Sequence, residues 1–239
     1  AILLDVKCGG GALMQTLDQA RALAEAMVAI GRAAGRRMRA LISAMDQPLG
    51  CAVGNALEVA EAISTLRGEG PADLTALCRH EAVELLLLAG RAGDRGQADT
   101  LVQGAVRSGA ALAKLAEVVA AQGGDAEQVL HPERLPRAAL VRPLSAPHDG
   151  WIAAIDARIV GEASVRLGAG RQTKSDPIRP EVGFILPQKV GDRIGAGEPL
   201  LEVHAATEEA AAAALHDLAA AYRFSEAPVA APPVLIDEL

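Results

Sequence analysis

Lys7-Cys8-Gly9-Gly10-Gly11 follows the apolar run from Ala1 to Val6. A strand that ends in consecutive glycines lets the backbone approach a phosphate or a nucleobase closely, because no side chain stands in the way. The run matches neither the phosphate-loop pattern nor G-x-G-x-x-G, and a plain tight turn is the better explanation of it taken alone. A second candidate runs from Ala44 to Glu61. Its small residues expose carbonyl oxygens, and Glu61 lies about two turns into the helix that follows. Carbonyls with one carboxylate suit a hard monovalent cation, while the competing reading leaves Glu61 as a solvated helix residue. A third stretch, Leu167 to Asp176, offers backbone N–H groups with Arg171 and Lys174 to an anion, or forms a surface turn compensated by Asp176. The fourth, Gln188 to Leu200, reads as a hairpin between two strands with a barrel-sandwich, lipoyl-like flavour, yet no lysine sits in its tight turn to carry a swinging arm.

The remaining chemistry-bearing residues are scattered. His80, His131, His148, His204 and His216 form no H-x-x-x-H or Ser/His/Asp grouping, and Glu81 and Glu84 lie at helical spacing and read as a solvated face. Cys8, Cys51 and Cys78 are odd in number and lack C-x-x-C spacing, so neither a disulfide framework nor a zinc site is indicated and they read as small buried hydrophobes.

The elements that must position these stretches follow from periodicity. Ala1 to Val6 is a buried strand, and a core strand at the very first residue predicts that a segment precedes Ala1. Thr16 with Gln19 forms a capping box before the apolar face Leu17, Ala20, Leu23, Ala24, Met27 and Val28, and Gly35 ends that helix. Met38 to Ser43 is a strand, and Asn55 with Glu58 reads as a further cap. Strand, helix, strand, loop, helix is an α/β layer whose loops at the carboxyl ends of parallel strands hold ligands. Asp73 to Gln122 is a helical cluster. Pro132, Pro136, Pro143 and Pro147 mark a domain boundary, after which Trp151–Ile155, Ala157–Val165, Val182–Leu186 and Pro199–His204 read as strands. Thr207 caps a last helix with Glu208 and Glu209 in its first turn, and Val234 to Asp237 adds a terminal edge strand. The predicted fold is α/β: a mixed-sheet α/β domain over 1–136, truncated at its N-terminal side, then a smaller α+β C-terminal domain over 137–239 with a barrel-sandwich-like hairpin.

A net charge of −7 without a concentrated basic patch argues against nucleic acid as a partner. Arg32, Arg36, Arg37 and Arg39 read as cations decorating a helix end. No apolar run is long enough to span a membrane and no secretory leader is visible, so a cytoplasmic protein is expected.

Taken together, four stretches in this order resemble the thymidine and pyrimidine-nucleoside phosphorylase family, from its C-terminal half or more. They are Asp5-Val6-Lys7-Cys8-Gly9-Gly10-Gly11-Ala12-Leu13-Met14; Met45-Asp46-Gln47-Pro48-Leu49-Gly50 through Gly54-Asn55-Ala56-Leu57-Glu58-Val59; Gly168-Ala169-Gly170-Arg171 with Lys174 and Asp176; and Val182-Gly183-Phe184 leading to Val190-Gly191-Asp192. The resemblance implies reversible phosphorolysis: phosphate, the co-substrate, displaces the base from C1′ of a pyrimidine (deoxy)nucleoside. It implies a homodimer in the complete enzyme, with dimer contacts, phosphate site and base clamp all upstream of Asp5. This chain alone is therefore expected to be inactive. Carried over residue by residue, it places the second half of a potassium site on the backbone carbonyls of Leu49 and Ala52 and the Glu61 carboxylate, the other ligands lying upstream, and an apolar wall beside the base at Leu13 and Met14. The chain departs from the family pattern at Ala44, where Asp is usual, at Leu13, where Phe is usual, and at Arg179, where Asp is common. Two other readings compete: a non-catalytic binding or lipoyl-like carrier module with its group on Lys174 or Lys189, and a related phosphorylase acting on nucleoside monophosphates.

Overall fold

The computed structural model describes residues 1–239. In chain order the elements begin with β1 (Ile2–Cys8), α1 (Leu17–Ala33), β2 (Met38–Ala44), β3 (Ala52–Val53) and α2 (Asn55–Leu66). Helices α3 (Ala72–Leu88), α4 (Arg95–Arg107), α5 (Ala110–Ala121) and α6 (Glu127–Leu130) follow, then a 3-10 turn at Pro132–Arg134. The remainder is β4 (Leu140–Ser145), β5 (Gly150–Ile155), α7 (Ala157–Leu167), β6 (Gly183–Ile185), β7 (Arg193–Ile194), β8 (Pro199–Ala205), α8 (Glu208–Ala219), β9 (Tyr222–Ser225) and β10 (Leu235–Glu238). The chain forms two compact units, one of Ala1–Met45, Ile63–Leu130 and Pro233–Leu239, the other of Asp46–Ala62 and His131–Pro232.

The first unit is built on a mixed sheet in the order β1-β2-β10. β1 and β2 are parallel, in register from Ile2 opposite Met38 to Cys8 opposite Ala44, and α1 makes the crossover between them. Thr16 Oγ1 accepts the N–H of Gln19 while Gln19 Oε1 accepts the N–H of Thr16, so the predicted capping box is formed. Such a cap contributes about 1 kcal/mol. Ala20, Ala24 and Val28 then bury one face of α1 with Val6, Cys8, Met38, Ala40 and Ile42. β10, the predicted terminal strand, pairs antiparallel with β2 and makes β2 the central strand. Of the four arginines read as decorating a helix end, Arg39 instead lies in β2 and pairs with Glu84 of α3. Of the three cysteines only Cys8 is buried; Cys51 is half-buried and Cys78 exposed.

The second unit holds two antiparallel sheets, β3-β6-β8-β4 and β7-β5-β9, with α7 packed on α8. Its core is Ile152, Ile155, Val160, Phe184, Leu186, Leu200, Leu201, Val203 and Leu218. The strand predicted at Ala157–Val165 is a helix, α7. Asp156 caps it by accepting the N–H groups of Arg158 and Ile159, and Val160, Ala163 and Leu167 bury one face at a spacing of three and four. The two strands flanking Gly195–Glu198 do not pair with each other: β7 joins β5, whereas β8 joins β4 and β6, so the connection crosses between sheets.

Candidate functional site

Alternation along β1 puts Asp5 and Lys7 on one face, and the parallel register sets Ser43 of β2 opposite Lys7. Lys7 Nζ donates to Ser43 Oγ at 2.9 Å, Ser43 Oγ donates to Asp5 Oδ1 at 2.5 Å, and Lys7 pairs with Asp5. Ser43 is fully buried. From α3, Glu81 meets Asp5: burial first, then the Asp5 charge and a hydrogen bond between the carboxyls, raise the Glu81 pKa above its ordinary 4.5. Partial desolvation of its sulfur and the Glu81 charge likewise push the Cys78 thiol up. The Asp-Val-Lys motif is thus a closed polar knot joining two strands and a helix.

Glu84, one turn further along α3, is fully buried, which corrects the reading of Glu81 and Glu84 as a solvated face. Its carboxylate meets the guanidiniums of Arg39 and of Arg95, the latter at 2.5 Å. His80 Nε2 lies 2.9 Å from Glu238 Oε1 of β10. His80, Glu84 and Glu238 bring three potential metal-ligating atoms within 4.8 Å of one another. The two guanidiniums already balance Glu84, so an ion entering there would have to displace them. No sequence signal marks this cluster, because Glu238 arrives from the far end of the chain.

At the carboxyl end of β1 the glycine turn folds back on itself. Gly9 N–H donates to Met14 O, Ala12 N–H to Gly9 O and Gly11 N–H to Met45 O, at 3.1, 3.0 and 2.8 Å. These donors are spent on the turn itself and on Met45 after β2, which favours the tight-turn reading over an open cradle for an anion. Leu13 is 93% exposed, and Met14 is half-buried against the core of the first unit.

In the second unit the loop before β3 is held at both poles of its peptide groups. Glu61 Oε1 accepts the N–H groups of Cys51 and Ala52 at 2.8 and 2.9 Å. Lys189 Nζ donates to Pro48 O at 2.7 Å and to Gly50 O, and Val190 N–H donates to Gln47 Oε1 at 2.9 Å. The chain then enters β3, where Leu186 N–H donates to Cys51 O. Ala52 faces Ile185 as a non-hydrogen-bonded pair, so its N–H and C=O both point away from β6, off the edge of the sheet. Its N–H reaches Glu61 there, and its carbonyl lies on the same side. Asn55 does not act as a cap: its Nδ2 donates to Ala169 O, and Glu58 Oε1 accepts the N–H of Gly54 instead.

Residues 1–112 match the family described as "Glycosyl transferase family, a/b domain", and residues 151–225 match "Pyrimidine nucleoside phosphorylase C-terminal domain". Pyrimidine-nucleoside phosphorylases of Staphylococcus aureus, strains USA300 and NCTC 8325, are each 48% identical to the chain over 204 residues, which is 85% of this chain and 47% of theirs. The chain belongs to the pyrimidine-nucleoside phosphorylase family. It spans about half the length of the curated relatives it matches.

Within this phosphorylase-family chain, the turn at 168–176 is settled by its own acid. Asp176 accepts the N–H groups of Gln172 and Thr173 and the Thr173 hydroxyl, which holds its carboxyl below the usual range. That is the compensated surface turn of the two readings. The departures from the family pattern sit on backbone features: Ala44 ends the β1–β2 ladder and donates its N–H to Val234 O, and the stem of Arg179 lies over Gly168. A cavity of about 1080 Å³ in the first unit is walled by Ala82, Leu85, Leu86, Leu101, Val102 and Val106 of α3 and α4. No helix is long and apolar enough to cross a membrane. Lys189, one of the two lysines considered for a carrier group, has its ammonium engaged by loop carbonyls.

Proposed function

We propose that the complete protein catalyses reversible phosphorolysis of thymidine or uridine. A phosphate oxygen bonds to C1′ as the N-glycosidic bond breaks, giving (deoxy)ribose 1-phosphate and a base that takes up a proton. Charge builds at C1′ in an oxocarbenium-like transition state, so the work lies in positioning an anionic nucleophile and a leaving base away from water. The observation that carries this reading is the 48% identity sustained over 85% of the chain to enzymes named for this substrate class.

Within the reading, residues 1–136 are the remainder of the family's α/β domain and 137–239 its C-terminal α+β domain, with a barrel-sandwich-like character in the segment 188–200. Leu13 and Met14 form an apolar wall beside the base. Leu49 and Ala52 through their carbonyls, and Glu61 through its carboxylate, hold a potassium ion. These are hard oxygen donors, and the Ala52 N–H donates to Glu61 on the side of β3 toward which the register also turns the Ala52 carbonyl, which supports the assignment. When bound, the ion would add positive charge among the loop's oxygens. The complete enzyme is a cytoplasmic homodimer.

The test is release of thymine or uracil, followed by absorbance, from the protein expressed from its whole reading frame, with and without phosphate. Phosphate-dependent release is expected from that protein and none from the 239-residue chain. The absence of release from the whole protein with either nucleoside, or release by the short chain, would overturn the reading.

A further inference from the structure

The loop 47–52 holds its peptide dipoles between two opposite charges. Glu61 collects N–H groups from Cys51 and Ala52, and Lys189 collects carbonyls from Pro48 and Gly50. A partly buried ammonium with two carbonyl oxygens satisfies the same demand that a desolvated monovalent cation makes on a ring of carbonyls. Lys189 is itself fixed. Its backbone N–H donates to Asp192 Oδ2 at 2.7 Å, and the next N–H, on Val190, is held by Gln47 from the loop side. The ammonium is therefore delivered to the loop by a turn that is tied down at both neighbouring amides. The lysine's carbonyls, Pro48 and Gly50, differ from Leu49 and Ala52, the carbonyls assigned to potassium.

We infer that Lys189 is a positioning residue and the built-in cation of this loop: its ammonium holds the Pro48 and Gly50 carbonyls so that the loop of the 239-residue chain keeps its shape without a bound ion, and once the ammonium is removed a monovalent ion on the loop's other oxygens restores that shape. The inference rests on the potassium reading only for which oxygens the replacing ion would use.

The test is hydrogen exchange of the peptide covering 47–53 in the full 239-residue chain, in choline chloride and in potassium chloride at equal ionic strength. In the unaltered chain, protection is expected to be the same in both salts. In Lys189→Met, exchange in choline should rise by about tenfold, since hydrogen bonds to a charged group are lost, and potassium should restore protection. Lys189→Arg, which keeps the charge, should stay protected in choline. The inference is overturned if Lys189→Met exchanges like the unaltered chain, if it is loosened equally in both salts, or if the unaltered chain already needs potassium. If Lys189→Met does not fold in either salt, Lys189→Arg decides: protection in choline supports a charge role, and failure of both variants overturns it. Adding Glu61→Gln to Lys189→Met separates the two readings. Loss of the potassium rescue places the ion at the Glu61 oxygens. Persistence of the rescue upholds Lys189 and sinks the Glu61 assignment.

Discussion

Glu84 has no solvent exposure, while Arg39 and Arg95, whose guanidiniums meet it, keep 49% and 54% of their side-chain surface in water. The three groups are therefore not equivalent. Removing both arginines leaves a buried charge without a partner, which costs about 3–5 kcal/mol. Replacing the acid by its amide leaves two guanidiniums that water can solvate. Urea denaturation should therefore show Arg39→Ala/Arg95→Ala losing more stability than Glu84→Gln, and equal losses would contradict the asymmetry. Glu81 yields a pH signature. With its pKa raised by burial and by Asp5, the folded chain holds a proton that the unfolded chain has released above about pH 4.5. Its contribution is thus complete below that value and is lost as pH rises through the raised one. Glu81→Gln, which imitates the protonated acid, should gain in melting temperature relative to the unaltered chain as pH rises above about 4.5. A difference that does not change with pH would refute this.

At the scale of the elements, the close approach of β3 to β6 depends on missing side chains. Gly54 has φ +126°, and a Cβ there would stand 2.5 Å from Val182 O and 2.9 Å from the Cα of Gly183. Both contacts are with backbone, so neither can swing aside. Gly54→Ala should cost about 2–4 kcal/mol and disturb the Ala52–Ile185 pairing that follows the loop 47–52. Thermal denaturation, together with exchange at the Cys51 and Ala52 amides, would reveal it; an unchanged melting curve would show that the backbone can yield. In helix α7, Ile159, Val160 and Val165 favour strands by intrinsic preference, but the cap at Asp156 and the three-four spacing of Val160, Ala163 and Leu167 outweigh that preference.

At the scale of the whole molecule, the last seven residues, Pro233–Leu239, belong to the first unit. β10 donates and accepts at Ala40 through Leu239, its connection satisfies Ala44 through Val234 O, and Asp237 and Glu238 tie it to Arg21 and His80. Deleting 233–239 should expose the edge of β2. Exchange at the Ala40 and Ala44 amides should then rise by at least about tenfold, with the sheet β7-β5-β9 unaffected. Uniform loosening of both sheets would show that the strand's role is not local.

The capping box at Thr16 and Gln19, the strand at Met38 and the cap at Thr207 were legible from sequence, because each depends on residues within a few positions of one another, and the family resemblance was legible because it depends on the order of such short stretches. Burial of Glu84 and the engagement of Lys189 depend on partners 45 and 139 residues away, and only the tertiary fold brings such groups together. The sequence by itself determined helix caps, strand periods and the order of motifs, which are local or additive signals. The tertiary structure alone decided which charges are buried against each other, that 46–62 packs with the C-terminal unit, and that the chain's end completes its first sheet. Those outcomes follow from long-range pairing, where the benefit of satisfying a buried charge or an open strand edge is realised only after distant segments meet.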